Sequence, residues 1–84
     1  MTLDDILTER GSRYGKFTDN SVVAQSIKEI FRLTNNWESL SKDKRECLDM
    51  LASKISRILT GDAEYVDNWL DMQGYIKLVT DTLI

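Results

Sequence analysis

Cations and aromatic residues crowd one short segment near the start of the chain. Its chemistry-bearing residues are Arg10, Arg13, Tyr14, Lys16 and Phe17. Guanidinium and ammonium groups bind phosphate, an aromatic ring stacks on a base, and Gly15 would let a ligand approach the backbone. The segment is therefore a candidate phosphate or nucleotide site. The alternative is that Tyr14 and Phe17 close the core beneath a solvated loop.

Two pairs of acidic residues lie further along the chain, Glu46 with Asp49 and Asp67 with Asp71. Spacings of three and four place each pair on one face of a helix. Carboxylates from two neighbouring helices could hold Mg²⁺, which could bind nucleotide phosphates. The arrangement resembles the ExxE…ExxD motifs of MazG-like all-α nucleoside triphosphate pyrophosphatases, although Asp49 replaces the usual Glu and the second pair is spaced Dx₃D. The alternative is that these acids are solvated or ion-paired.

A further polar set lies on the last two predicted helices. Lys54 and Arg57 are three residues apart and within reach of Asp67 and Asp71 if these helices are antiparallel. Salt bridges between the helices are one interpretation, and an anion site built on Arg57 is the other. The candidate binding residues of the whole chain are Arg10, Arg13, Tyr14, Lys16, Lys54, Arg57, Asp71 and Tyr75.

The sequence also leads to expectations for one glycine, the cysteine and the two tryptophans. Gly74 lies inside a predicted helix, where glycine costs about 1 kcal/mol relative to alanine. Close packing against Phe31 or Trp37 would explain it, and so would contact with a ligand or a second protomer. Cys47 lies on an apolar stripe and is expected to be an unreactive core residue. Trp37 and Trp69 are expected in the core or at an interface between protomers.

The elements that must position these residues are predicted to be helices, because the chain has no proline and four glycines. Apolar residues also recur at helical spacing. The predicted helices are a short one from Thr2 to Gly11, then residues 21–33, 42–59 and 62–83, with residues 12–20 as a loop. Ser41 and Asp62 are expected to cap the last two helices.

The expected architecture is all-α: a short N-terminal helix, then three helices, the last two forming a long antiparallel hairpin. Residues 1–84 are expected to form one helical domain. Such a short chain buries only about 60–65% of its unfolded surface. The tryptophans with Tyr65 and Tyr75 are too many for this thin core to cover. We therefore expect exposed apolar patches and a homo-oligomer.

Composition excludes several classes of function. The chain has no histidine, which removes the commonest general base and zinc ligand. Cys47 is the only cysteine, so no disulfide forms within the chain. A net charge of −3 gives no strong nucleic-acid signal. Neither a secretory signal nor an apolar run of membrane-spanning length is evident, so the cytoplasm is the expected location.

The sequence resembles a family of small, functionally uncharacterised helical proteins of tailed phages and prophages. The first anchor of the resemblance is Glu9-Arg10-Gly11-Ser12-Arg13-Tyr14-Gly15, followed by Phe17 and Asn20. The second is Leu48-Asp49-Met50 with Ala52, Lys54-Ile55, Arg57-Ile58-Leu59 and Gly61-Asp62. The third is Asp67-Asn68-Trp69 with Asp71 and Gly74-Tyr75. The resemblance implies a phage origin, a helical fold and an accessory role during infection.

These observations favour binding over catalysis. The first hypothesis is a phage accessory protein that binds a host protein or a nucleotide signal, without a cofactor, as a host-takeover or anti-defence inhibitor in the host cytoplasm. The alternative is a minimal MazG-like pyrophosphatase that uses Mg²⁺ as a homo-oligomer. A structural or assembly factor is a third possibility.

Overall fold

Apolar residues at helical spacing form four α-helices in the computed structural model, which describes all 84 residues and contains no strand. The helices are α1 (Leu3–Tyr14), α2 (Phe17–Arg32), α3 (Lys42–Thr60) and α4 (Val66–Leu83). A short 3-10 helix, Trp37–Ser39, lies between α2 and α3. The predicted all-α class and the long C-terminal hairpin of α3 and α4 are confirmed. None of the helices is long and apolar enough to cross a membrane.

The prediction of a loop over residues 12–20 is wrong. Helix α1 begins with a capping box between Thr2 and Asp5 and runs through Gly11 to Tyr14. Gly11 is tolerated inside the helix, where it is exposed. The break comes at Gly15, whose φ of 82° lies in the region that favours glycine. Helix α2 follows after one further residue.

Of the predicted caps of the last two helices, Ser41 occupies the N-cap position of α3, whereas Asp62 does not cap α4. The Ser41 side chain makes no capping hydrogen bond. Asp62 does not start α4; its carboxylate accepts the Glu64 backbone N–H at 2.9 Å in a turn. The Asp62 backbone N–H donates to the Arg13 carbonyl at 2.9 Å. This bond holds the chain against the end of α1, so α4 begins only at Val66.

Helix α3 is the centre of the molecule. Helices α2 and α4 pack on it, while α1 contacts both α2 and α3. The molecule measures 42 × 27 × 22 Å. Its core is thin, with only seven residues buried: Ala24, Trp37, Cys47, Ala52, Lys54, Ser56 and Asn68. The prediction that Cys47 is a core residue agrees with this burial, which also raises the pKa of its thiol.

The two tryptophans differ in their environments. Trp37 is buried and stacks on Phe31 with ring centroids 5.7 Å apart. Trp69 is 47% exposed, and its indole N–H donates to the Ala63 carbonyl. The expected packing of Gly74 against Phe31 or Trp37 is wrong, since no atom lies within 4 Å of where a Cβ at Gly74 would be.

Two backbone segments cross in close contact where α1 meets the end of α3. A Cβ at Gly15 would overlap the carbonyl group of Thr60, and a Cβ at Gly61 would overlap the backbone of Arg13 and Tyr14. Only glycine at both positions allows this approach. The crossing fixes the end of α1 and the start of α2 relative to α3.

Replacing Gly61 by alanine tests the crossing. Because the methyl group would overlap backbone atoms, we expect Gly61→Ala to lower the free energy of unfolding by about 1–3 kcal/mol. Chemical denaturation followed by circular dichroism measures the change. The matched control is Gly11→Ala, since the space around Gly11 is open and alanine is the better helix former. Equal stability of Gly61→Ala and the native protein would contradict the close approach.

Candidate anion-binding cleft

Helices α1, α2 and α3 enclose a cleft of about 710 Å³ on one side of the crossing. Four cations line it: Arg10, Lys16, Lys28 and Arg57. None of its fifteen lining residues is acidic. The neutral polar side chains of the lining are Thr18, Asn20, Ser21, Gln25 and Ser53. In a chain of net charge −3, the cleft is a concentrated positive region.

The cleft cations have no carboxylate partner. The four ion pairs of the chain are Arg13–Glu9, Arg32–Asp49, Lys54–Asp71 and Lys77–Asp81. None of them involves a cation of the cleft. The charges of the cleft are therefore not neutralised by the protein itself. Uncompensated like charges raise the local potential and attract an anion.

Tyr14 brings the two arginines of the cleft together. The guanidinium carbon of Arg57 lies 4.4 Å from the centroid of the Tyr14 ring, and that of Arg10 lies 5.3 Å from it. Attraction between a cation and an aromatic ring offsets part of the repulsion between the two charges. The ring thus serves as a support for guanidinium groups. Phe17, which is 84% exposed, is the other aromatic residue of the cleft and has its ring free.

A partly buried polar network supports the Tyr14 backbone. The Ser56 side chain is fully buried, and its hydroxyl lies 2.7 Å from the Asn20 carbonyl oxygen and 2.6 Å from Asn20 Oδ1. Asn20 Nδ2 and the Thr60 hydroxyl both donate to the Tyr14 carbonyl, at 3.3 and 3.0 Å. These bonds join α3 to the junction of α1 and α2. The sequence analysis missed Ser56 and Thr60, whose signal is small hydroxyl side chains next to apolar positions of α3.

Four of the eight candidate binding residues meet in the cleft: Arg10, Tyr14, Lys16 and Arg57. Arg13 instead pairs with Glu9 and lies over the Tyr65 ring at 4.5 Å. Lys54 is buried and pairs with Asp71 at 2.7 Å, which is the expected ion pair across the hairpin. Arg57 does not take part in such a pair. Asp71 and Tyr75 line a separate groove on α4.

Lys28 completes the cleft and was not among the candidates. It lies on α2 seven residues after Ser21 and four after Ala24, and both of these also line the cleft. This helical spacing was available in the sequence. The spacing alone does not assign Lys28 to the cleft, because a predicted loop over residues 12–20 leaves open which face of α2 meets α1.

The four acidic residues of the metal hypothesis do not converge. Asp49 pairs with Arg32 at 2.9 Å, Asp71 pairs with Lys54, and Asp67 accepts a hydrogen bond from the Tyr65 hydroxyl at 2.8 Å. That bond raises the pKa of the Tyr65 phenol, because the carboxylate stabilises its protonated form. No group of three or more acidic or cysteine side chains is placed to hold a metal ion, whether or not it includes Glu46.

Comparisons with known proteins add no relative to this description. No protein-family model matches the chain, and no curated protein or solved structure matches it either.

Removing the Ser56 hydroxyl tests the network beneath the cleft. In Ser56→Ala the partly buried Asn20 side chain loses its donor, so we expect a loss of about 1–3 kcal/mol in the free energy of unfolding. The matched control is Ser26→Ala, whose hydroxyl is exposed and bonds only to the Val22 carbonyl of its own helix. That change should stay within about 0.5 kcal/mol. Similar effects of the two substitutions would show that the Ser56 bond is unimportant.

Proposed function

We propose that this protein binds a phosphorylated small molecule, a nucleotide, in the cleft between α1, α2 and α3 and acts by binding without catalysis. The observation that carries the proposal is the set of four cations that line one cleft with neither an ion-pair partner nor a carboxylate among them. A ligand with several negative charges would neutralise them.

The geometry of the donors suits phosphate. Arg10 and Arg57 present planar guanidinium forks, which match phosphate oxygens in pairs. The first turn of α2 also lines the cleft at Phe17 and Thr18, and no side chain caps that helix. Its free N–H groups and positive dipole end add to the attraction for an anion.

The size and the aromatic residue of the cleft favour a nucleotide over inorganic phosphate. A volume of about 710 Å³ falls in the range of about 300–1,000 Å³ typical of small-molecule sites. With the phosphates at the cations, the exposed Phe17 ring is available to stack on a base. The sequence allows either Tyr14 or Phe17 to stack on a base. Because the Tyr14 ring already contacts two guanidinium groups, we assign base stacking to Phe17.

The resemblance to small helical proteins of tailed phages and prophages is the basis for a proposed biological role. We propose that the protein sequesters a nucleotide signal of the host, in the host cytoplasm, and so weakens metabolism or defence during infection. We also propose that it does so as a homo-oligomer. A host protein with an acidic surface is the other partner class, and the experiments below distinguish the two.

The MazG-like alternative needs carboxylates to hold Mg²⁺ beside the phosphates, and no carboxylate lines the cleft. It stays a prediction with a direct assay. Incubation with nucleoside triphosphates and Mg²⁺ should release no pyrophosphate if the protein only binds. Release that is lost in Asp49→Asn or Asp71→Asn would favour the enzyme.

Calorimetric titration with nucleoside mono-, di- and triphosphates tests the proposed ligand. We expect affinity to rise with the number of phosphates and to fall with added salt. Arg57→Gln should weaken binding by about 10- to 100-fold, because a hydrogen bond to a charged group contributes about 1.5–3 kcal/mol. Lys28→Gln should also weaken binding. The matched control is Lys42→Gln, a change at an exposed lysine outside the cleft.

Two outcomes would contradict this proposal. One is the absence of binding by any nucleotide at millimolar concentration and low salt. The other is equal binding by Arg57→Gln and Lys42→Gln. If no nucleotide binds, capture of a host protein by the native chain but not by Arg57→Gln would indicate that the cleft binds a host protein instead.

A further inference from the structure

The outer face of α4 carries exposed apolar side chains that no other part of the chain covers. Helix α4 lies at the edge of the molecule and packs on α3. A groove of about 530 Å³ follows its outer face, where Leu70 and Leu78 stand one turn before and after Gly74. These leucines are 54% and 68% exposed.

We propose that this face of α4 binds the same face of a second copy of the chain. The two α4 helices would lie antiparallel about a two-fold axis that passes beside Gly74. This is an isologous contact, in which one surface meets itself. It uses no residue of the cleft, so it stands or falls independently of the proposed ligand.

The surface area of the chain supports a second copy as the occupant. A folded monomer of 9.7 kDa exposes about 5,100 Å² according to the size dependence of known monomers. This chain exposes 6134 Å². The excess of about 1,000 Å² is close to the roughly 800 Å² that each partner buries in a stable complex. The isolated chain is therefore less compact than a typical monomer by about the area of one interface.

Gly74 allows the two helices to approach each other. The position where its Cβ would lie is open, so the glycine is not explained by packing within the chain. Its place between two exposed leucines leaves a notch on the helix surface. In an antiparallel pair centred there, the notch of each chain faces that of the other, and Leu70 meets the partner's Leu78.

In the same register, a charged residue beside the notch lies opposite a residue of opposite charge on the partner. Residues equally distant from Gly74 on either side face each other, so Lys77 meets the partner's Asp71. In the free chain Lys77 pairs with Asp81 at 2.9 Å, but both side chains are more than half exposed and such a pair contributes little. Asp71 already pairs with Lys54 through Oδ2 at 2.7 Å, and its side chain is 49% exposed, so its other carboxylate oxygen is the one that the partner's Lys77 would contact. At the two ends of the contact Asp67 would face the partner's Asp81, where both are exposed to water.

Disulfide trapping tests both the contact and its register. In a Cys47→Ser background, Gly74→Cys places a thiol beside the two-fold axis. Antiparallel helices with axes 8–10 Å apart bring such positions within the Cα separation that a disulfide requires. We expect rapid formation of a covalent dimer under mild oxidation. Leu70→Cys is the matched control, because its counterpart is the partner's Leu78. It should cross-link slowly alone and rapidly when mixed with Leu78→Cys.

Sizing by light scattering gives the second readout. We expect the native chain at micromolar concentration to have twice its mass of 9.7 kDa. Gly74→Gln should have the single mass and keep its helical spectrum, since the position is open and glutamine is a good helix former. Leu33→Asp is the control, because Leu33 is 84% exposed and lies at the end of α2. It should remain a dimer.

The results that would overturn the proposal are specific. A native monomer at high concentration would do so. Cross-linking of Gly74→Cys that is no faster than that of Leu70→Cys would exclude the register. A dimer that survives Gly74→Gln but is lost in Leu59→Asp, a change at another exposed leucine on α3, would place the interface elsewhere.

Discussion

The close crossing of two backbone segments, residues 13–15 over residues 60–62, is the contact on which the rest of the molecule depends. The apolar core is too thin to fix α1, none of whose residues is buried. Instead, glycine on both sides of the crossing allows direct backbone contact. The Asp62 N–H bonds to the Arg13 carbonyl, and the Thr60 hydroxyl bonds to the Tyr14 carbonyl. Hydrogen bonds to the backbone of Arg13 and Tyr14 therefore fix α1, where a larger domain would use buried side chains.

The same crossing explains why charge collects in the cleft. Tyr14 is the last residue of α1, and Arg57 lies one turn before the end of α3. Once these two helix ends are joined, the Tyr14 ring and the Arg57 guanidinium must meet, and Arg10 follows one turn back on α1. None of the fourteen acidic residues of the chain lines the cleft, and the four that form ion pairs bind cations outside it, as in the pairs of Arg32 and Lys54. The positive cleft thus results from the fold and the pairing together.

Helix periodicity predicted the class of fold, the α3–α4 hairpin and half of the candidate site, because each depends on local spacing or residue type. Arg10, Tyr14 and Lys16 were found by their crowding in one segment. Gly11 was mistaken for the end of α1, since its cost of about 1 kcal/mol is small enough for a helix to absorb. The sequence predicts Gly15 as a point of ligand approach and leaves Gly61 between two predicted helices, because periodicity shows which face of a helix is apolar but not which helices cross. For the same reason Lys28 could not be assigned to the cleft.

The absence of buried residues in α1 has a consequence for how the cleft behaves. A helix held by its capping box, one crossing and a tyrosine can undock and fray without unfolding α3, so its amide hydrogens should exchange by local opening at a free energy below that of global unfolding. Only molecules with α1 docked present Arg10 beside Arg57. A bound anion that contacts both arginines would tie α1 to α3 and increase the docked population. The apparent affinity would then equal the intrinsic affinity multiplied by the fraction of docked molecules, and occupancy of the cleft would be visible as slower exchange along α1.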